Sequence, residues 1–285
     1  MNPIQIAVLA VIQGLAELLP ISSSAHVIVA EKLMGLDPTN PQMTLLLVAL
    51  HTGTMLAVLF YFWKGWKEQY FQTKERTSSF LKQVLLATLV TLAAGVVLIK
   101  FIEKVILRAE PNAEIESLFG DLSLVSAALA AAGALILYAS MREPAAKNLK
   151  KLGPVESMTI GLVQGLCLPF RGFSRSGATI STGLILGIAR QKAEDFSFAL
   201  AVAITPFALG KEILRLWKTR DIIQSSVGSV SHLFIPGLLG MVLSFLAGLV
   251  ALKWLSIWLE KGRWNYFGFY CVAAAIILWL IKSRI

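Results

Sequence analysis

Charge is scarce in this sequence. Only 15% of its 285 residues are Asp, Glu, Lys or Arg, against roughly 25% in an ordinary soluble domain. That shortage argues against a soluble globular enzyme, whose surface needs more charged side chains than this chain owns. Cysteine is scarce too. Cys167 and Cys271 both lie inside apolar stretches, which excludes a disulfide framework and says nothing about redox compartment. A basic n-region and an A-x-A site are also missing from the N-terminus, so no cleavable signal peptide is expected. What is plentiful is apolar surface: 56% of the residues are apolar and the mean hydropathy is +0.71. Disorder is thereby excluded, since it needs low hydrophobicity and dense charge. The net charge of +9 sits mainly in short loops between apolar runs. There it reads as membrane topology, with no call for a nucleic-acid partner.

Apolar runs long enough to span a bilayer occupy 43–63, 81–101, 121–141, 196–216, 232–258 and 264–282. Each reaches about 20 residues, the length that crosses ~30 Å of hydrocarbon at 1.5 Å per residue. Two further apolar regions are interrupted. Residues 3–35 are broken by Pro20 and Ser22-Ser23-Ser24, and residues 157–189 by Pro169, Arg171, Ser174, Arg175 and Ser176. Their halves are too short to cross alone. Polar, irregular backbone at membrane depth is tolerated only where protein or a water-filled cavity covers it. Both regions are expected to be re-entrant helical hairpins with polar tips.

The two interrupted regions resemble each other. Gln13-Gly14-Leu15 is followed by Ser22-Ser23-Ser24-Ala25, and Gln164-Gly165-Leu166 by Ser174-Arg175-Ser176-Gly177-Ala178. Broken helices at matching places in two halves point to a site at the repeat interface. Loop charge sets the orientation. Lys64, Lys67, Lys74 and Arg76 in loop 64–80, and Arg142, Lys147, Lys150 and Lys151 in loop 142–156, place those loops in the cytoplasm; loop 102–121, with Lys104, Arg108 and five acids, falls outside. Lys282 and Arg284 then also lie outside, against the rule. Three spans separate the interrupted regions, so the hairpins enter from opposite sides and meet tip to tip. The expected fold is all-α: a single integral membrane domain over 1–285, with about six spanning helices and two opposed re-entrant hairpins, in inverted-repeat halves of about 1–141 and 142–285.

Ionisable residues at membrane depth are costly and mark function by default. The first tip carries Gln13 and Glu17 on one helix face, then Ser23 and His26 beyond the proline. A hydroxyl near an imidazole, with a carboxylate to orient the ring, is a minimal activated nucleophile. The second tip carries Arg171, Ser174, Arg175, Ser176 and Thr179 at the start of a helix. Arginine forks, hydroxyls and helix N–H groups converging on one point suit phosphate. Together the tips suggest phosphoryl transfer or hydrolysis on a lipid with a phosphorylated head. A lipid-phosphate transporter or flippase is the alternative, since broken helices in inverted repeats also mark carriers; a carrier needs no nucleophile and base. His51, a lone histidine in span 43–63, is expected in the core, and His232 at an interface. Trp258, Trp264 and Tyr266 fit an aromatic belt.

At these motifs the chain resembles the undecaprenyl pyrophosphate phosphatases, the bacitracin-resistance family of bacterial membrane enzymes. The family's (E/Q)xxxE stands as Gln13 to Glu17, its P-x-S-S-x-x-H as Pro20 to His26, and its PGxSRSxxT as Arg171 to Thr179. Arg171 replaces that last motif's proline, and Glu17 is the first motif's only carboxylate. The resemblance implies removal of the terminal phosphate of undecaprenyl pyrophosphate, recycling the carrier for peptidoglycan synthesis, with a share in bacitracin resistance. It implies a multi-pass protein of the cytoplasmic (inner) membrane, its site facing the periplasmic side. Glu17, Ser23, His26, Ser174, Arg175 and Thr179 carry over as functional residues. Ser23 is the preferred nucleophile with His26 as its base; His26 as the nucleophile is the rival, and Glu17 orients the ring or holds a metal. Arg175, with Ser174, Ser176, Thr179 and Arg171, is expected to bind the phosphates. A divalent cation, Mg²⁺ or Ca²⁺, is implied, for which Glu17 and Gln13 are the candidate ligands. Expected partners are the lipid pyrophosphate, membrane lipids and a second copy in a homodimer.

Overall fold

The structure, a computed structural model, describes residues 1–37, 41–106, 120–142, 149–218 and 231–283. The expectations for most of loop 102–121, for Lys147 and for the His232 side chain lie outside the described residues. The described chain is helical, with one isolated bridge between Lys150 and Ile188. In order come α1 (Pro3–Leu18), α2 (Ser23–Leu33), α3 (Pro41–Gln69), α4 (Lys74–Phe101) and α5 (Leu122–Met141). Then follow α6 (Pro154–Cys167), α7 (Arg175–Ile185), α8 (Arg190–Lys218), α9 (Ser231–Glu260) and α10 (Trp264–Ile281). A π-helical turn, Ile102–Ile106, extends α4.

Six of these helices are long and apolar enough to cross a membrane: α3, α4, α5, α8, α9 and α10. They coincide with the six runs expected from the sequence. Their outward faces carry large apolar side chains such as Phe60, Val97 and Phe269, all more than half exposed. No aqueous surface favours such a belt, whereas hydrocarbon does.

The other four helices form two hairpins, α1–α2 and α6–α7. Local chemistry fixes their ends. Asn2 caps α1 in a box with Gln5, with Pro3 at the first position, where no N–H is needed. Pro20 forces Leu19 into extended backbone. In the second hairpin Pro154 opens α6, Pro169 follows its end, and Ser174 caps α7 by accepting from the Gly177 N–H at 3.2 Å. At 16 and 11 residues, α1 and α2 measure about 24 and 16 Å, short of a bilayer.

The hairpins are held by exchange between the halves of the chain. Helix α1 of the first half packs on α9 of the second, and α6 of the second half packs on α4 of the first. The matched glycines of the two QGL segments make these contacts. A Cβ on Gly14 would stand 2.6 Å from the Ser244 carbonyl oxygen, and one on Gly165 would stand 2.8 Å from that of Thr91. Gly161 meets α4 more closely still, 2.3 Å from the Ala87 oxygen. Thr91 Oγ1 donates to the Gly161 carbonyl at 2.8 Å, and Ser244 Oγ to that of Leu50 at 3.0 Å. Small residues and hydroxyls at helix crossings are what drive association where lipid supplies no hydrophobic gain. This reciprocal packing is compatible with the inverted repeat expected from the sequence. Helices α5 and α10 pack antiparallel, Ser126 on Ala275 and Gly133 on Gly268. Lys282 bonds Ser123 Oγ at 3.1 Å and lies over the Trp279 ring, so a partnered amine sits where the loop-charge rule disfavours one.

Gly14→Leu and Gly161→Leu are therefore expected to lower thermal stability in detergent, each by at least about 1–3 kcal/mol, because backbone must move to admit the side chain. Gly65→Leu, where nothing lies within 4 Å of the built Cβ, should leave the melting temperature unchanged.

Candidate active site

The two hairpin tips meet. Gly172 N–H donates to Ser24 Oγ at 3.2 Å, Ser176 Oγ donates to the Leu19 carbonyl at 3.3 Å, and Cys271 Sγ of α10 reaches the Pro20 carbonyl. Gly172 has φ +103°, and a Cβ there would lie 2.3 Å from the Val125 oxygen, so only glycine lets this tip reach α5.

Between the tips stands Glu17, one turn before the α1 break. Its Oε1 accepts from Arg175 Nη2 at 2.8 Å. Its Oε2 accepts from Ser23 Oγ at 2.5 Å and from Gln13 Nε2 at 3.2 Å. His51 Nε2 of α3 lies 3.9 Å from the same oxygen. Each side chain of the Glu17–Arg175 pair keeps 19% of its surface, and both line a narrow crevice with His51, Thr54 and Thr205. The other Arg175 nitrogen, Nη1, is buried with no hydrogen-bond partner among the described residues. An unsatisfied guanidinium N–H₂ in an apolar site costs about 1–3 kcal/mol or more. An anion would satisfy it.

Backbone strain lies next to Ser23. Ser22 has φ 69° and ψ 97°, the only positive φ at a non-glycine among the described residues. Ser23 is the first residue of α2, so its hydroxyl sits at a helix N-terminus whose first-turn N–H groups favour negative charge.

The structure brings four of the expected residues together: Gln13, Glu17, Ser23 and Arg175. It sends the others elsewhere. Ser23 bonds Glu17 and not His26. The His26 ring folds back on its own helix, Nδ1 2.8 Å from the Ser22 carbonyl, and its Nε2 lies 2.7 Å from the Tyr270 hydroxyl, the two rings stacked. Ser174 is spent on capping α7. Ser176 fastens the tips, and Thr179 bonds Ser197 Oγ at 2.6 Å and the Arg175 carbonyl at 2.9 Å. All three hydroxyl-bearing side chains are buried. Arg171 is exposed and lies within electrostatic reach of Glu31. His51, expected in the core, is instead part of the crevice.

The donor set does not fit a resident Mg²⁺ or Ca²⁺. Such ions want several free oxygen ligands. Both Glu17 oxygens already accept from protein donors, one of them a guanidinium, and Gln13 turns its amide nitrogen to Glu17. Among the described residues no three His, Cys, Asp or Glu side chains converge.

A profile described as "Bacitracin resistance protein BacA" matches residues 6–277. The chain is 54% identical over 274 residues to "Undecaprenyl-diphosphatase 2" of Acinetobacter baylyi, covering 96% of this chain and 95% of that one. It is 33% identical over 282 residues to "Undecaprenyl-diphosphatase 2" of Burkholderia ambifaria, covering 94% and 92%. To "Undecaprenyl-diphosphatase" of Rhodopirellula baltica it is 28% identical over 282 residues, covering 99% and 98%.

The Ser22 geometry makes its own prediction. Ser22→Gly should keep the thermal stability within about 1 kcal/mol, since glycine adopts φ 69° freely and loses only the cap. Ser22→Val should cost about 1–3 kcal/mol. Thermal unfolding of both purified variants would decide; equal melting of the two would show that Ser22 carries no strain.

Proposed function

The chain belongs to the bacitracin resistance protein BacA family, and we propose that it hydrolyses the terminal phosphate of undecaprenyl pyrophosphate, with Ser23 as nucleophile and Glu17 as its base. One observation carries this reading: the 2.5 Å bond from Ser23 Oγ to a carboxylate oxygen whose other oxygen is held by Arg175. A hydroxyl is a weak nucleophile until a base accepts its proton. Glu17 is placed to do so. Arg175, whose Nη1 is buried without a partner among the described residues, is on this reading the fixed donor for charge on the phosphoryl oxygens.

In the first step Ser23 Oγ bonds the terminal phosphorus, Glu17 takes the hydroxyl proton, and the bond to the bridging oxygen breaks. Undecaprenyl phosphate leaves with that oxygen. In the second step water replaces Ser23 on phosphorus, and inorganic phosphate departs. A lipid-phosphate carrier would need Arg175 but not a serine bonded to a carboxylate, so this geometry favours hydrolysis. Mg²⁺ or Ca²⁺, on this reading, belongs with the pyrophosphate as its counter-ion.

The site's location follows from the loops. With the basic segment 64–80, which the structure forms from the end of α3, a short turn and the start of α4, taken as cytoplasmic, α3 begins outside and both ends of the α1–α2 hairpin that carries Glu17 and Ser23 lie there too. The enzyme then works at the outer face of a bacterial cytoplasmic membrane, and its product re-enters peptidoglycan synthesis. The bacitracin resistance of the family follows from the same chemistry, since hydrolysis removes the pyrophosphate form of the carrier.

Purified protein is expected to release phosphate from a short-chain prenyl pyrophosphate. Ser23→Ala and Glu17→Gln should each lower turnover by about 10²–10⁴-fold. Arg175→Lys should lose at least about 10²-fold in kcat/KM, the cost of one oxyanion-type donor, because a point charge cannot hold Glu17 and a phosphate oxygen as a planar fork does. Arg171→Lys, at an exposed residue within electrostatic reach of Glu31, should lose clearly less. Near-normal turnover of Ser23→Ala would remove it as nucleophile, and a more damaged Arg171→Lys would misplace the phosphate.

For topology, single cysteines at Tyr70 and Asn112 can be probed with an impermeant thiol reagent on intact cells. Labelling at position 112 alone is expected. Labelling at position 70 alone would invert the orientation.

A further inference from the structure

The hydrolytic half of the reaction needs a base other than the Glu17 that Ser23 has protonated, and we propose that His51 is that base: it takes the proton of the attacking water. This rests on the Ser23 reading above and deepens it.

His51 Nδ1 lies 2.8 Å from the Leu47 carbonyl oxygen. A carbonyl only accepts, so Nδ1 carries the hydrogen and, in the neutral ring, Nε2 presents a lone pair. That lone pair faces Glu17 Oε2 across 3.9 Å. A neutral imidazole nitrogen and a carboxylate oxygen are both acceptors, and neither satisfies the other. A water molecule, with two hydrogens to give, bridges such a pair. The gap is too wide for a direct hydrogen bond and suits one intervening oxygen. Ser23 Oγ is bonded to this same Oε2, so a water there stands beside the phosphorus once Ser23 is phosphorylated. His51 keeps 40% of its side-chain surface and lines the same crevice as Thr54, Arg175 and Thr205, so its ring faces the ion pair and not a closed core.

Proton balance points to the same residue. When Ser23 attacks, Glu17 gains its proton. A protonated carboxyl cannot also deprotonate the incoming water, and Arg175 has no lone pair to offer. In the second step the water oxygen bonds phosphorus and its proton goes to His51 Nε2. The phosphorus–Oγ bond breaks, and Glu17 returns its proton to Ser23 Oγ. Serine and the carboxylate are restored, inorganic phosphate leaves, and His51 releases its proton to water. Glu17 serves the serine in both directions; His51 serves the water.

Separating the two half-reactions tests this. Wild type, His51→Ala and His51→Gln are purified, checked for unchanged melting temperature, and mixed with a prenyl pyrophosphate labelled in its terminal phosphate. Acid quenching then measures prenyl phosphate, free phosphate and label bound to protein. Both His51 variants should turn over about 10²-fold or more slowly. They should still show an initial burst of prenyl phosphate and carry acid-stable label that vanishes in the His51→Ala/Ser23→Ala double variant. Gln preserves shape and an acceptor but takes no proton, so it should not rescue. Turnover within about threefold of wild type in His51→Gln overturns the proposal. So does a slow variant with neither burst nor label while wild type and Ser23→Ala behave as above. Should Ser23→Ala itself retain turnover, the serine reading fails first and this one with it, which separates the two failures.

Discussion

The carboxylate of Glu17 is the contact on which the rest of this site depends. It belongs to one hairpin and its charge partner, Arg175, to the other. Taking either charge into an apolar interior alone costs several kcal/mol, and breaking a buried pair by removing one member is strongly destabilising. Each tip is therefore stable at depth only when the opposite tip is present. The glycines that let α1 press on α9 and α6 on α4 are what bring the tips within 2.8 Å. Close packing far from the chemistry and the ion pair at its centre are two ends of one constraint.

The same constraint assigns the other polar groups. Ser174, Ser176 and Thr179 occupy a motif full of hydroxyls, which invites the reading that each touches phosphate. Buried hydroxyls must first be satisfied by protein. Ser174 caps a helix, Ser176 ties the tips, and Thr179 bonds Ser197 on α8. Their bonds lie around Arg175, whose second nitrogen is buried without a partner among the described residues. In a medium without water a rigid donor is worth more than several mobile ones, because it needs no reorganisation when charge develops.

Much of this was legible in the sequence. The six spans follow from run length alone, and the hairpins from Pro20, Pro169 and the serines that interrupt apolar runs. Gln13, Glu17, Ser23 and Arg175 stand out because ionisable or polar groups are rare in such runs. What spacing along the chain could not supply is which neighbour Ser23 chooses. His26, three residues on, looks nearer than Glu17, six residues back across a proline. The α1 break folds Glu17 under Ser23, while the helical backbone offers His26 the Ser22 carbonyl one turn behind it. His51 was hidden for a different reason. A single histidine in an apolar helix carries no local signal, and only the tertiary packing of α3 against α1 gives it a carboxylate to face. A faint cue was its neighbourhood: Thr52, Gly53 and Thr54 form a polar patch in an otherwise apolar span.

The division of labour between hairpins has a further physical consequence. The proposed nucleophile and base, Ser23 and Glu17, lie on α2 and α1, and Arg175 lies on α7, each at or near a helix end where a chain break frees backbone groups. A continuous spanning helix has all its inner N–H groups committed to its own turns and presents only side chains. Two broken helices meeting end to end present side chains and open helix termini to the same few ångströms, within protein that shields the irregular backbone from lipid. An anionic head group on a lipid tail needs that combination. A tail in hydrocarbon and a head among donors can then lie at the same depth. For a pyrophosphate that cannot leave the membrane, bringing polar chemistry to the bilayer interior is the arrangement that avoids pulling the tail into water.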